Sequence, residues 1–212
     1  MSLGKIQEVD KDATIIQDEK SFLRLDLACG NNKKPGFIGM DISTDTQADI
    51  ICDLSRFPWK LYSNKWSAPE GILDEIDNGI LIFKDSSVGE FFCSHYIEHT
   101  KDIKSFMEEV YRILIPKGKV TFIAPYYSSI RAFQDYTHVR PISESTFLYF
   151  NQRWLEANSL QHYNVNCNFE VVYMKFQYYP EWKTRSEAAK EWARVHMINV
   201  VMDIETMLVA IK

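Results

Sequence analysis

The stretch Leu23 to Asp41, LRLDLACGNNKKPGFIGMD, decides the fold. An apolar run ends in a carboxylate, a small-residue turn follows, and a second short apolar run ends in Asp41. A parallel α/β sheet builds a nucleotide site in this way. The first strand delivers the backbone into a tight loop at Ala28 to Asn32. The second delivers Asp41 to where ribose hydroxyls lie, because carboxylate oxygens only accept hydrogen bonds. Asp49 to Leu54 (DIICDL) repeats the logic, ending at Cys52 and Asp53. Only about ten residues join the first two strands, near the minimum for a βαβ unit, so the crossover helix is expected to be short or missing.

With 212 residues the chain has room for one domain with a full core. Net charge of -5 and pI near 5.6 argue against an extended nucleic-acid surface, which needs clustered Lys and Arg. No apolar run approaches the roughly 20 residues of a membrane span, and the polar start has no signal-peptide core. Cys29, Cys52, Cys93 and Cys167 are scattered and read as buried reduced thiols. A cytoplasmic location is expected. Oligomeric state is not legible.

Residues 1–20 read as a surface arm, and 21–212 as a single domain with an insertion at about 60–84. In that insertion Ser67 and Glu70 are spaced as a capping box and Pro69 suits a first helical turn, which predicts a short helix over 68–77. Val88 to Cys93 is the next strand. Asp102 opens a helix whose apolar positions Ile103, Phe106, Met107, Val110, Ile113 and Leu114 keep the helical period. Lys119 to Ala124 is a strand, followed by an aromatic and polar loop from Pro125 to Pro141. Helices near 143–151 and 186–201, with strands 169–176 and 205–211, complete the alternation. The aromatic residues of the second half read as core and sheet-face packing. The sum is an α/β, Rossmann-like doubly wound sheet of seven strands, mostly parallel.

Leu25-Asp26-Leu27-Ala28-Cys29-Gly30, Asp41, Cys52-Asp53-Leu54, Ser94-His95-Tyr96-Ile97-Glu98-His99 and the run Val110 to Val120 together resemble the class I S-adenosylmethionine-dependent methyltransferases, in the methyltransferase type 11 group. The order and spacing hold from residue 22 to about 125. The tail resembles that fold's reversed last strand. Two positions depart: Ala28 stands where the family has its first loop glycine, and Asn32 occupies a third small position. An alanine there is expected to keep φ below zero. The acid follows Gly30 by 11 residues, shorter than the roughly 20 of a dinucleotide fingerprint, which disfavours an NAD-dependent oxidoreductase.

The resemblance implies S-adenosyl-L-methionine as cofactor and methyl transfer to a small-molecule acceptor, at oxygen or nitrogen, by in-line displacement. It implies Asp26 near the methionine ammonium, the loop Ala28, Cys29 and Gly30 around the cofactor, and Asp41 on the ribose diol. Asp53 beside Cys52 would accept from the adenine amino group, with Ile42 and Leu54 on the ring faces. Ser94, His95 and Tyr96 would flank the adenosine and the sulfonium. In the loop after the fifth strand, His138 is the candidate general base, because imidazole titrates nearest neutrality, and Asp135 is expected to orient it or substitute for it. His99 is a second candidate base. Tyr126, Tyr127, Arg131 and Arg140 are candidate substrate contacts. Each has a structural alternative: Asp26 satisfying loop amides, Asp41 forming a turn, Asp53 capping a helix, His138 bracing a corner.

His95 to His99 also spells H-x-x-E-H, an inverted zinc-protease motif, which needs both histidines on one face of a helix. A zinc hydrolase using His95 and His99 is therefore one alternative, and a catalytically silent cofactor-binding protein another. No metal ligand set is assigned from the sequence.

Overall fold

The computed structural model describes residues 22–64 and 66–212, and the arm read at 1–20 lies outside them. Ten strands among the described residues form one sheet. Seven make the nucleus expected from the sequence: β1 (Arg24–Leu27), β2 (Ile38–Asp41), β3 (Ile50–Cys52), β7 (Val88–Ser94), β8 (Leu114–Pro125), β9 (Phe169–Tyr178) and β10 (Val201–Ala210). Pairings β3/β2, β2/β1, β1/β7 and β7/β8 are parallel, and β10 enters reversed between β8 and β9.

The other three strands come from the insertion, and here the sequence expectation fails. No helix forms over 68–77. Instead β4 (Lys60–Asn64), β5 (Leu73–Ile76) and β6 (Ile80–Phe83) extend the sheet antiparallel beyond β3, in the order β5-β6-β4-β3. Gly71 at φ +82° is incompatible with a helix through the proposed capping box. The apolar side chains then fall at strand rather than helix spacing. Phe83 and Trp59 are fully buried, so the insertion feeds the core.

The crossovers β1→β2 and β2→β3 carry no helix, as the short spacing requires. α1 (Ile103–Ile113) links β7 to β8; Asp102 caps it by accepting from Ser105 N. The remaining helical pieces are α2 (Arg131–Gln134), α3 (Glu144–Leu148), α4 (Gln152–Ala157), α5 (Pro180–Lys183) and α6 (Glu187–His196). α1, α3 and α6 reach the same sheet face. Phe106 and Phe147 pack on Phe122 of β8, and Arg194 lies over Phe176 of β9, which shares that face through the Ala124–Ile204–Phe176 register. The core lies between this face and the helices. At roughly 25 cal/mol per Å², its buried aromatics dominate the hydrophobic stabilisation. All four cysteines are free and buried.

Candidate functional site: a donor edge and an acceptor cleft

Strand register sets out the site. Leu27 pairs with Met40 and with Cys93, and Met40 with Ile50, so the carboxyl ends of β1, β2, β3 and β7 lie side by side. Open parallel sheets bind ligands at this edge. Ala28 sits at φ +53° and Gly30 at φ +50°. The expectation of negative φ at Ala28 is thus corrected: Cys29 N donates to Met40 O at 3.0 Å, and the turn that makes this bond holds Ala28 left-handed. Nothing lies within 4 Å of where a Gly30 side chain would begin, so the loop leaves open space there.

Asp41 faces this loop. Its Oδ2 accepts from Gly30 N at 3.0 Å and its Oδ1 from Ser43 N at 2.9 Å, so one carboxylate ties the first and second strand ends together. Each oxygen keeps acceptor capacity for a diol. Ile42 is 66% exposed at the lip. Asp53 accepts from Ser55 N and Oγ and pairs with Arg56; chiefly the Ser55 hydroxyl holds its carboxyl below the usual range. Asp26 accepts from Lys34 N at 2.7 Å, the loop-bracing role, and its burial raises its pKa. Burial, with Asp26 and Asp41 nearby, pushes the Cys29 thiol up to about 12. Leu54 and Cys52 do not face the open edge: both are core residues, and Leu54 O accepts from the Trp59 indole. Ser94 ends β7, and Tyr96 packs its ring on Phe106. The open loop at Gly30, the apolar lip and the acceptor-only Asp41 fit an adenosine-bearing cofactor.

Beside this edge opens a cleft of about 200 Å³, lined by His95, Glu98, His99, Pro125, Arg131, Gln134, Asp135 and His138. That is room for a small acceptor group, below the usual size of a pocket for drug-sized ligands. His95, held at φ +55°, is the hinge between the two regions. It follows β7, and its ring nitrogens lie 3.4 Å from Glu98 Oε1 and 3.9 Å from Asp203 Oδ2. Arg131 pairs with Asp203 at 3.1 Å; burial raises the Asp203 carboxyl pKa despite that partner. His138 Nδ1 lies 3.1 Å from Ala132 O, and His99 Nδ1 lies 2.9 Å from Thr137 Oγ1. The two imidazoles meet edge to face, centroids 4.7 Å apart. The Thr137 hydroxyl and amide hold the exposed Asp135 carboxyl low.

Two candidate substrate contacts are corrected. Tyr126 is fully buried, with its hydroxyl on Glu144 and Arg194. Arg140 spends its guanidinium on Thr100 O and Lys101 O, clamping the loop after β8 to the turn after β7. Tyr127 remains 40% exposed. Only the last three residues of H-x-x-E-H, Ile97–His99, form a 3₁₀ turn, and His95 lies outside any helix, so His95 and His99 do not share a helix face. Sequence reasoning missed the centrality of Glu98. It is 2% exposed with both carboxylate oxygens lacking a hydrogen-bond partner. Its signal was its place inside the H-x-x-E-H pattern, between Ile97 and His99. Asp203 was missed because it lies 72 residues downstream of its partner Arg131.

The fold and this sheet edge define a class I, S-adenosylmethionine-dependent methyltransferase. The model of the methyltransferase domain, type 11, matches residues 25–122, consistent with a class I methyltransferase of that group. Its methyl donor is S-adenosylmethionine. The structure resembles a SAM-dependent methyltransferase from Archaeoglobus fulgidus at TM-score 0.53 and 15% identity, over 90% of this chain and 87% of that one. It also resembles geranyl diphosphate C-methyltransferase from Streptomyces coelicolor at TM-score 0.50 and 12% identity, over 90% and 72%. No curated protein matches the chain by sequence.

Proposed function

We propose that the chain methylates a small oxygen- or nitrogen-bearing acceptor bound in the cleft of His95, Glu98, His99, Arg131, Asp135 and His138. One observation carries this reading: His95 both ends the donor edge and lines the cleft, so an acceptor there abuts the cofactor edge. Bound S-adenosylmethionine supplies an electrophilic methyl on a sulfonium. Asp41 would hold the ribose diol, Gly30 and Ala28 would let the cofactor approach the backbone, and Ile42 would cover one ring face. Asp26 would act through the loop it braces. Arg131 stands ready for an anionic group on the acceptor, and the imidazoles of His99 and His138 receive the acceptor's proton. Alignment contributes most of the catalysis, since a well-placed nucleophile about 3 to 3.5 Å from the methyl needs little more. Among the described residues no helix is long and apolar enough to cross a membrane. The buried free thiols favour the reducing cytoplasm.

The test is methyl transfer from isotopically labelled S-adenosylmethionine to a panel of hydroxyl, carboxyl and amine acceptors, followed by mass spectrometry. Transfer should fall at least tenfold in His138→Ala while cofactor binding persists. Cofactor binding with no transfer to any acceptor would leave the catalytically silent alternative standing.

A further inference from the structure

Among the described residues, Glu98 is a buried carboxylate facing the cleft. It is 2% exposed, and neither carboxylate oxygen has a hydrogen-bond donor. Removing a carboxylate from water costs several kcal/mol unless a cation or donors face it. What faces it is imidazole: His95 Nδ1 at 3.4 Å and His138 Nε2 at 4.0 Å from Oε1, with His99 completing the group. Asp135 Oδ2 lies 4.0 Å from His138 Nε2 at the rim.

The hydrogen bonds assign the ring protons. Ala132 O can only accept, so His138 Nδ1 carries its proton and Nε2 presents a lone pair. Thr137 has one hydroxyl proton, which goes to Asp135 Oδ1 at 2.6 Å. Its oxygen therefore accepts from His99 Nδ1–H, and His99 Nε2 is left as a second lone pair. Two imidazoles braced through Nδ1, one by a backbone carbonyl and one by a carboxylate-linked hydroxyl, are how proteins orient metal-binding histidines.

Glu98, His99 and His138 place one ligand atom each within 4.8 Å of the others. Ligand bonds of about 2.1 Å require donor separations near 3 to 3.5 Å, so side-chain rotations of about an ångström close the set. The backbone holds the two segments in place: Val139 N donates to Glu98 O at 3.0 Å, and His99 N to Tyr96 O at 2.9 Å.

We infer that Glu98, His99 and His138 form a site for a divalent first-row transition cation, open on the side of the cleft. Two imidazoles and one carboxylate suit Zn²⁺, Mn²⁺ or Fe²⁺ better than Mg²⁺ or Ca²⁺. The inference deepens the proposed function and rests on it only for the cation's purpose. The open face would coordinate an oxygen of the acceptor and hold it against the methyl donor. With the two Nε2 lone pairs committed to the cation, the cation would lower the acceptor's pKa and the released proton would pass to the Asp135 carboxylate at the rim in place of the imidazoles.

The test uses the full chain, stripped with chelator, loaded with Zn²⁺, desalted, and counted by elemental analysis. The wild type should retain one cation per chain. His138→Ala and Glu98→Gln should retain background only, while His162→Ala/His196→Ala should retain as much as wild type. Thr137→Val, which removes only the brace, should weaken affinity about 10- to 100-fold. Co²⁺ loading should give visible ligand-field absorption that disappears in His138→Ala. A wild type retaining no cation, or retention unchanged in His138→Ala and Glu98→Gln, overturns the site. S-adenosylmethionine thermal shifts on the same samples show that the variants are folded. A shift without cation retention defeats this inference alone. Cation retention without a shift defeats the methyl-transfer reading alone.

Discussion

Ala28 carries a measurable cost. A non-glycine residue at φ +53° gives up roughly 1 kcal/mol, so Ala28→Gly should raise stability by about that amount in denaturant titration, with cofactor affinity kept. Asp41 joins Gly30 and Ser43, and Asp41→Asn should keep the fold while weakening the proposed contact with the ribose diol. The stabilisation of about 2.7 kcal/mol expected at 100 times Kd should shrink markedly in a thermal-shift comparison. Asp26 titrates in a direction opposite to a salt-bridged carboxylate. Burial raises its folded pKa above the usual 3.8, so the folded state holds the proton to higher pH than the unfolded chain. Wild-type stability is therefore lost as pH climbs from about 3.8 through the folded value. Asp26→Asn should lack this decline, seen as a narrowing Tm difference on acidification. These carboxylates were legible because each ends an apolar run. Their partners were not, since hydrogen bonds between loops leave no periodic trace.

Among the elements, α1 was plain in the sequence: a capping Asp102 and six apolar positions at helical spacing coincide with a helix that buries Phe106, Met107, Val110 and Ile113. The insertion was not. A local cap signal pointed to a helix, and tertiary pairing with β3 overrode it. Glu109 fastens that insertion to α1, accepting from Trp59 N at 2.9 Å and gripping Arg112 through both oxygens. Arg112 in turn holds Phe83 O. Glu109→Ala should cost about 3 kcal/mol in chemical denaturation, because it strands a half-buried guanidinium and a buried amide. Arg140→Lys should cost about 2 kcal/mol, as an ammonium does not reproduce the guanidinium's planar fork.

For the molecule as a whole, the strands of the nucleus followed from alternating apolar runs and short connections, and the reversed β10 from the resemblance to the methyltransferase fold. The cleft did not, because it assembles side chains from the end of β7, the loop after β8, and β10. α1, α3 and α6 share one sheet face, and the crossovers β1→β2 and β2→β3 hold no helix. The donor edge is therefore made of loops, whose positions depend on carboxylate ties rather than helix packing. The cleft also straddles the end of the stretch shared with the type 11 domain, at residue 122. His95, Glu98 and His99 come before that border; Pro125, Arg131, Gln134, Asp135 and His138 come after it. On the proposed function, handling of the common coenzyme would fall in the first part of the chain, and most of what lines the acceptor cleft in the second. An exchange of the segment from 125 to 141 would be the shortest route to a new acceptor preference with the coenzyme grip left untouched.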